Sequence, residues 1–115
     1  MSILPERVEL KTPEQILVMR RSGSLLHEVH EMLASHIRPG VTTDQLDTLA
    51  HDMIRDAGAT PNFLGYQGYP ATLCISVNDV VVHGIPDDRP LEEGDIVSID
   101  GGLIIDGWHS DAART

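Results

Sequence analysis

Residues 95 to 114 read Asp95-Ile96-Val97-Ser98-Ile99-Asp100-Gly101-Gly102-Leu103-Ile104-Ile105-Asp106-Gly107-Trp108-His109-Ser110-Asp111-Ala112-Ala113-Arg114, short apolar runs broken by Gly101-Gly102 and by Asp106-Gly107. Asp-Gly between two such runs is a hairpin signal, because a two-residue turn that matches strand twist needs positive φ at its central positions. With Asp106-Gly107 as the turn, Ile105 pairs with Trp108, Gly102 faces Asp111 and Asp100 faces Ala113. Asp100 and Asp111 then share one face as diagonal neighbours about 7 Å apart. Two bare carboxylates at that distance repel by roughly 2 kcal/mol at an effective dielectric near 20, and a divalent cation removes the repulsion. Carboxylates on a rigid hairpin, one of them bridging, suit a pair of metal ions that activates water for hydrolysis. A wet sheet face accounts for the same spacing, so both readings stand at this point. His109 falls on the same predicted face and is a further candidate ligand, unless a bulge turns it away.

Upstream of the hairpin, Val- and Ile-rich runs at 73–77 and 80–82 read as strands, as do 95–100, 103–105 and 108–112. Between them lie the loop Gly65-Tyr66-Gln67-Gly68-Tyr69-Pro70 and the acidic turn Pro86-Asp87-Asp88-Arg89-Pro90. His83 ends the run 80–82 where Gly84 and Pro86 force a turn, a placement suited to meeting a substrate. The first half of the chain follows a helical grammar. Thr12-Pro13-Glu14-Gln15 is a capping box with proline at the first helical position, and the helix it opens runs to about Ile37, ahead of Pro39-Gly40. Val18, Met19, Leu25, Leu26, Val29, Met32, Leu33 and Ile37 form its apolar stripe. A second box, Thr42 to Gln45, opens a helix whose Leu46, Leu49, Ala50, Met53, Ile54 and Ala57 keep helical spacing up to Gly58. Two helices followed by several strands predict an α+β fold, with helices packed on one face of a largely antiparallel sheet. At 115 residues, without repeat or linker, the chain is read as a single domain over 1–115.

Composition narrows the chemistry. Hydrophobic residues make up 41% and charged residues 23%, which excludes disordered and collagenous classes. The start MSILPERVELK lacks a signal peptide's order, and no apolar run is long enough to cross a bilayer, so a cytoplasmic protein without a membrane partner is expected. Net charge is −10, and residues 41–115 hold three basic against thirteen acidic side chains, so no nucleic-acid partner is expected. Cys74 is the only cysteine, which rules out an intramolecular disulfide and a cysteine-based zinc site. Three motifs are set aside. His27-Glu28-Val29-His30-Glu31 has its histidines three apart rather than the four of a zinc-protease helix. His51-Asp52 lies on the polar face of the second helix, where solvation explains it. Gly65-x-x-Gly68 lacks the spacing and the lysine of a phosphate loop.

With GYQGYP, CISVNDVVVHGIP, GDIVSID and DGWHSDAAR in view, the sequence resembles the N-terminal half of a type I methionine aminopeptidase over about residues 12 to 115. The resemblance implies the pita-bread fold, in which two related halves surround a dinuclear metal site. It also implies removal of the initiator methionine from nascent polypeptides whose second residue is small. On the matching motifs, Asp100 and Asp111 correspond to two aspartate ligands for a pair of divalent ions, Co, Mn, Fe or Zn. His83 corresponds to the histidine that hydrogen-bonds substrate near the scissile amide, and Phe63, Tyr66, Tyr69 and Cys74 correspond to the methionine side-chain pocket. His109 matches no ligand of the family. The implied partners are nascent polypeptide N-termini, with the ribosome one place to meet them. The family completes its site with a histidine and two glutamates that this chain does not contain, so the chain by itself is expected to have little activity and to self-associate through uncovered apolar surface. The other class of function in play is a non-catalytic pita-bread module that binds peptides or proteins. Met1-Ser2 presents the small second residue that such an enzyme accepts.

Overall fold

The computed structural model describes residues 7–115, so Met1-Ser2 lies outside the described residues. Both capping boxes form. The Gln15 backbone N–H donates to Thr12 Oγ1 at 3.1 Å while the Thr12 N–H donates to Gln15 Oε1 at 2.8 Å, and α1 runs Pro13–His36. Thr42 and Gln45 repeat the exchange at the start of α2, Thr43–Asp56. Each box satisfies amide donors that the first turn leaves without a helical partner.

The strands are β1 (Thr60–Pro61), β2 (Leu73–Val77), β3 (Val97–Ile105) and β4 (Trp108–Arg114), all antiparallel. β3 is central, with β1 and β2 along one edge and β4 along the other. Asp106 and Gly107 adopt φ of 48° and 81°, as a two-residue hairpin turn requires. The register is the expected one: Ile105 opposite Trp108, Gly102 opposite Asp111, Asp100 opposite Ala113. The two runs predicted at 95–100 and 103–105 prove to be one strand that passes straight through Gly101-Gly102. Those glycines are places of close approach rather than a break: a Cβ at 101 would sit 2.9 Å from Leu73 Cδ2, and one at 102 would collide with the Asn62 amide.

One predicted strand is absent. Residues 80–82 lie in a loop, with Val81 86% exposed. Asn78 turns the chain at φ 58°, and the edge of β2 that these valines would need is met instead by Gly84, whose carbonyl accepts from Ile75 N–H at 2.8 Å. The short β1 and the single 3-10 turn Tyr66–Gly68 were not anticipated.

The core fills the space between the helices and one sheet face. Leu26, Val29 and Leu33 of α1 meet Leu46, Ala50 and Ile54 of α2 and Leu73, Ile75, Ile99 and Leu103 of the sheet. Each such aliphatic side chain contributes about 2 kcal/mol on burial. The buried stripe of α1 is narrower than the sequence suggests. Met19 and Ile37 remain exposed, while Ser22 and His30 are buried and bond to β4. No helix among the described residues is long and apolar enough to cross a membrane.

Candidate active site

Strand alternation sends Ile99, Gly101 and Leu103 toward the core and Asp100 to the opposite face, where Cys74 is its register partner on β2. Asp111 joins them from β4. A cleft of about 600 Å³ opens over this face, lined by Asp100, Asp111, Cys74, His83, Ile85, Phe63 and the loop from Tyr66 to Pro70. All seven residues singled out from the sequence, Phe63, Tyr66, Tyr69, Cys74, His83, Asp100 and Asp111, therefore border one cavity. His109 does not; its Nδ1 accepts from Asn62 Nδ2 at 3.2 Å.

The apolar wall is built by the loop 65–70. Phe63 and Tyr69 meet edge to face, centroids 6.5 Å apart at 86°. The Tyr69 hydroxyl donates to the Leu73 carbonyl at 2.7 Å and lies 3.3 Å from the Gly84 carbonyl, tying the loop to β2 and to the segment that carries His83. Tyr66 lines the same cleft, with 68% of its surface still exposed. His83 is exposed and left-handed at φ 58°, a conformation that costs a non-glycine residue of order 1 kcal/mol or more. Its neighbour holds it there. The Gly84 N–H donates to Ser76 Oγ at 3.0 Å, and a Cβ at this position would collide with the Ile75 carbonyl.

Electrostatics set the protonation of the site. Burial first, then the hydrogen bond and charge of Asp100, push the Asp111 carboxyl up to about 6, with His30 pulling the other way. Burial raises the Tyr69 phenol and the Cys74 thiol, and the charges of Asp100 and Asp111 push the thiol further. Cys74 is thus held as a neutral thiol, a lining group rather than a nucleophile. Asp100 Oδ1 is buried without a hydrogen-bond partner. A carboxylate oxygen denied a donor, beside a second carboxylate with which it shares repulsion, fits a hard divalent cation. Among the described residues no cluster of three or more His, Cys, Asp or Glu gathers at one point.

Two residues near the site escaped the sequence reading. Asn62, in Thr60-Pro61-Asn62, has the signature of a turn, yet its amide fills the space left by Gly102 and its Nδ2 lies 3.5 Å from the Ser110 carbonyl. His30, set aside with its motif, is buried with Nε2 2.9 Å from the Ala112 carbonyl. No local pattern signals either. His51 is likewise more than a solvated polar residue, since its Nδ1 lies 3.0 Å from Thr72 Oγ1.

Metallopeptidase family M24 matches residues 18–115. This chain belongs to family M24. Membership implies divalent metal use, in keeping with the carboxylate pair of this M24 chain. It is 51% identical over 106 residues to a methionine aminopeptidase of Clostridium perfringens, spanning 92% of this chain and 43% of that protein. The crystal structure of methionine aminopeptidase from Rickettsia prowazekii superposes with a TM-score of 0.91 at 42% identity, covering 94% of this chain and 44% of the other. The Xaa-Pro dipeptidase of Bacillus anthracis, at 24% identity and TM-score 0.75 over 90% of this chain and 28% of its own, shares the fold alone. That fold is the M24 pita-bread fold, and the α+β architecture predicted from the sequence is its helix-and-sheet unit. The M24 chain spans less than half the length of the curated relatives it matches.

Proposed function

We propose that this M24 chain contributes to metal-dependent removal of the N-terminal methionine from nascent polypeptides with a small second residue, in the cytoplasm. The observation that carries the reading is the shared cleft: a carboxylate pair on its floor, an apolar wall with a neutral thiol, and one histidine on its rim. The high similarity to methionine aminopeptidases supports methionine as the side chain accepted.

Asp100 and Asp111 would hold the divalent ions, two in number and drawn from Co, Mn, Fe or Zn. Bound there, the metal supplies Lewis acidity toward the scissile carbonyl and lowers the pKa of water. The Phe63 and Tyr69 rings and the Cys74 thiol receive the methionine side chain, whose polarisable thioether favours ring edges and sulfur. The His83 imidazole, at the rim, donates a hydrogen bond to the substrate near the scissile amide and steadies charge that develops on it. The acidic surface draws in the ammonium terminus.

The reading is tested by calorimetric titration of Mn²⁺, then of the peptide Met-Ala-Ser, into the chain and its Asp100→Asn and Asp111→Asn variants. Binding of both that requires the two aspartates supports the assignment. Metal binding that survives both substitutions overturns it.

A further inference from the structure

We propose that His30, on the side of the sheet facing away from the cleft, is a positioning residue that sets the spacing of Asp100 and Asp111. The proposal rests on the reading of those aspartates as a metal pair. His30 lies on α1, 6% exposed, and its Nε2 is 2.9 Å from the Ala112 carbonyl oxygen. A carbonyl only accepts, so Nε2 carries the proton and donates. The same nitrogen lies 3.9 Å from where a Cβ would stand on Gly101. Gly101 and Ala112 are register partners across β3 and β4. Each immediately follows one of the aspartates in the chain.

Geometry then links the ring to the cleft. Side chains alternate along a strand, so the Gly101–Ala112 pair faces α1 while Asp100 and Asp111 face the other way. A single imidazole therefore braces, from beneath, the cross-strand pair whose two members each follow one of the aspartates in the chain. Serine reinforces the contact two positions upstream of Ala112, at Ser110. Ser22 Oγ donates to Ser110 Oγ at 2.8 Å, and Ser110 Oγ donates to the Ser22 carbonyl at 3.0 Å, so both neighbours of Asp111 are tied to α1. Among the described residues β4 pairs only with β3, which leaves the helix to fix where its outer side sits. An apolar residue in place of His30 would suit the helical stripe and would avoid burying a polar ring, but would leave the Ala112 carbonyl without this donor.

The test uses the purified chain with Co²⁺ as probe, followed by calorimetry and by the visible absorption of the bound ion, in His30→Leu, His30→Gln and Leu33→Ala. His30→Leu should weaken Co²⁺ binding about tenfold, in line with the loss of other outer-shell partners, and should alter the visible band. His30→Gln keeps an N–H donor near the position of Nε2 and should restore most of both. Leu33→Ala lowers the stability of the same helix away from the pair and should leave affinity and spectrum unchanged. Wild-type affinity and spectrum in His30→Leu would overturn the proposal, as would an equal loss in Leu33→Ala. If His30→Leu does not fold, His30→Asn, whose amide falls short of the Nε2 position, takes its place, and equal binding by the Asn and Gln variants overturns it. Co²⁺ binding that persists in Asp100→Asn defeats the metal reading itself, whereas Asp100-dependent binding indifferent to His30 defeats only the positioning role.

Discussion

Cys74 and Asp100 stand directly opposite each other in the β2–β3 ladder, so a buried thiol and one carboxylate of the candidate metal pair share one face of the sheet. Burial and the neighbouring carboxylates both favour the protonated thiol. Alkylation of Cys74 by iodoacetamide at pH 7.5 should be several-fold slower than that of a free cysteine. Asp100→Asn should speed it by removing one repelling charge. Mass spectrometry of the time course measures both, and a fast wild-type reaction would show the thiol to be ionised.

Gly84 carries the next prediction. It approaches Ile75 so closely that any side chain must displace one strand edge or the loop. Gly84→Ala should cost about 1–3 kcal/mol, the usual range for overpacking, read as a lower urea midpoint at unchanged slope. Because Gly84 also anchors His83, the same variant should weaken methionyl-peptide binding more than a core variant of equal stability does.

The Asp111 carboxyl, raised from 3.8 to about 6, predicts how stability without metal depends on pH. A group whose pKa is higher in the folded state binds protons more tightly there, so its contribution is full below about pH 4 and disappears as pH rises through about 6. Asp47, also raised by burial, acts in the same direction. In EDTA, Tm should fall between pH 4.5 and 7, and Asp111→Asn should flatten the fall. The shift alone would be worth about 3 kcal/mol, and solvent screening at this exposed carboxylate reduces that to about 1 kcal/mol. Added Mn²⁺ should reverse the slope, since metal and proton compete for the same oxygens. A flat wild-type profile in EDTA would contradict the repulsion inferred here.

Turnover by the chain alone should be poor. Among the described residues the cleft holds one carboxylate pair, and no cluster of three or more His, Cys, Asp or Glu gathers there to complete a metal site or to supply a separate general base. Methionine release from Met-Ala-Ser should run at least ~100-fold below that of the longer Clostridium perfringens methionine aminopeptidase, the range that lack of a general base accounts for. A chromatographic assay for free methionine decides the point.

Some of this molecule is readable in its sequence because the cause is local. Capping boxes at Thr12 and Thr42 bond residues three apart, and Asp106-Gly107 sets its own turn, from which the register follows by counting. The Asp100–Asp111 pair and its face come with that register. The resemblance to a known family then placed His83, Cys74 and the tyrosine loop at one site, which composition alone did not.

Tertiary structure decided the rest. The valines at 80–82 have strand chemistry but no strand, because Gly84 reaches the free edge of β2 first. Gly101-Gly102 read as a break, yet their missing side chains make room on one face for Leu73 and on the other for Asn62. His30 carries no local signal, since the carbonyl it meets lies 82 residues away in the chain. Periodicity and turn chemistry report interactions between near neighbours; which strand edge is taken, which cavity a glycine leaves and what braces the aspartates from below depend on contacts that exist only once helix and sheet have packed.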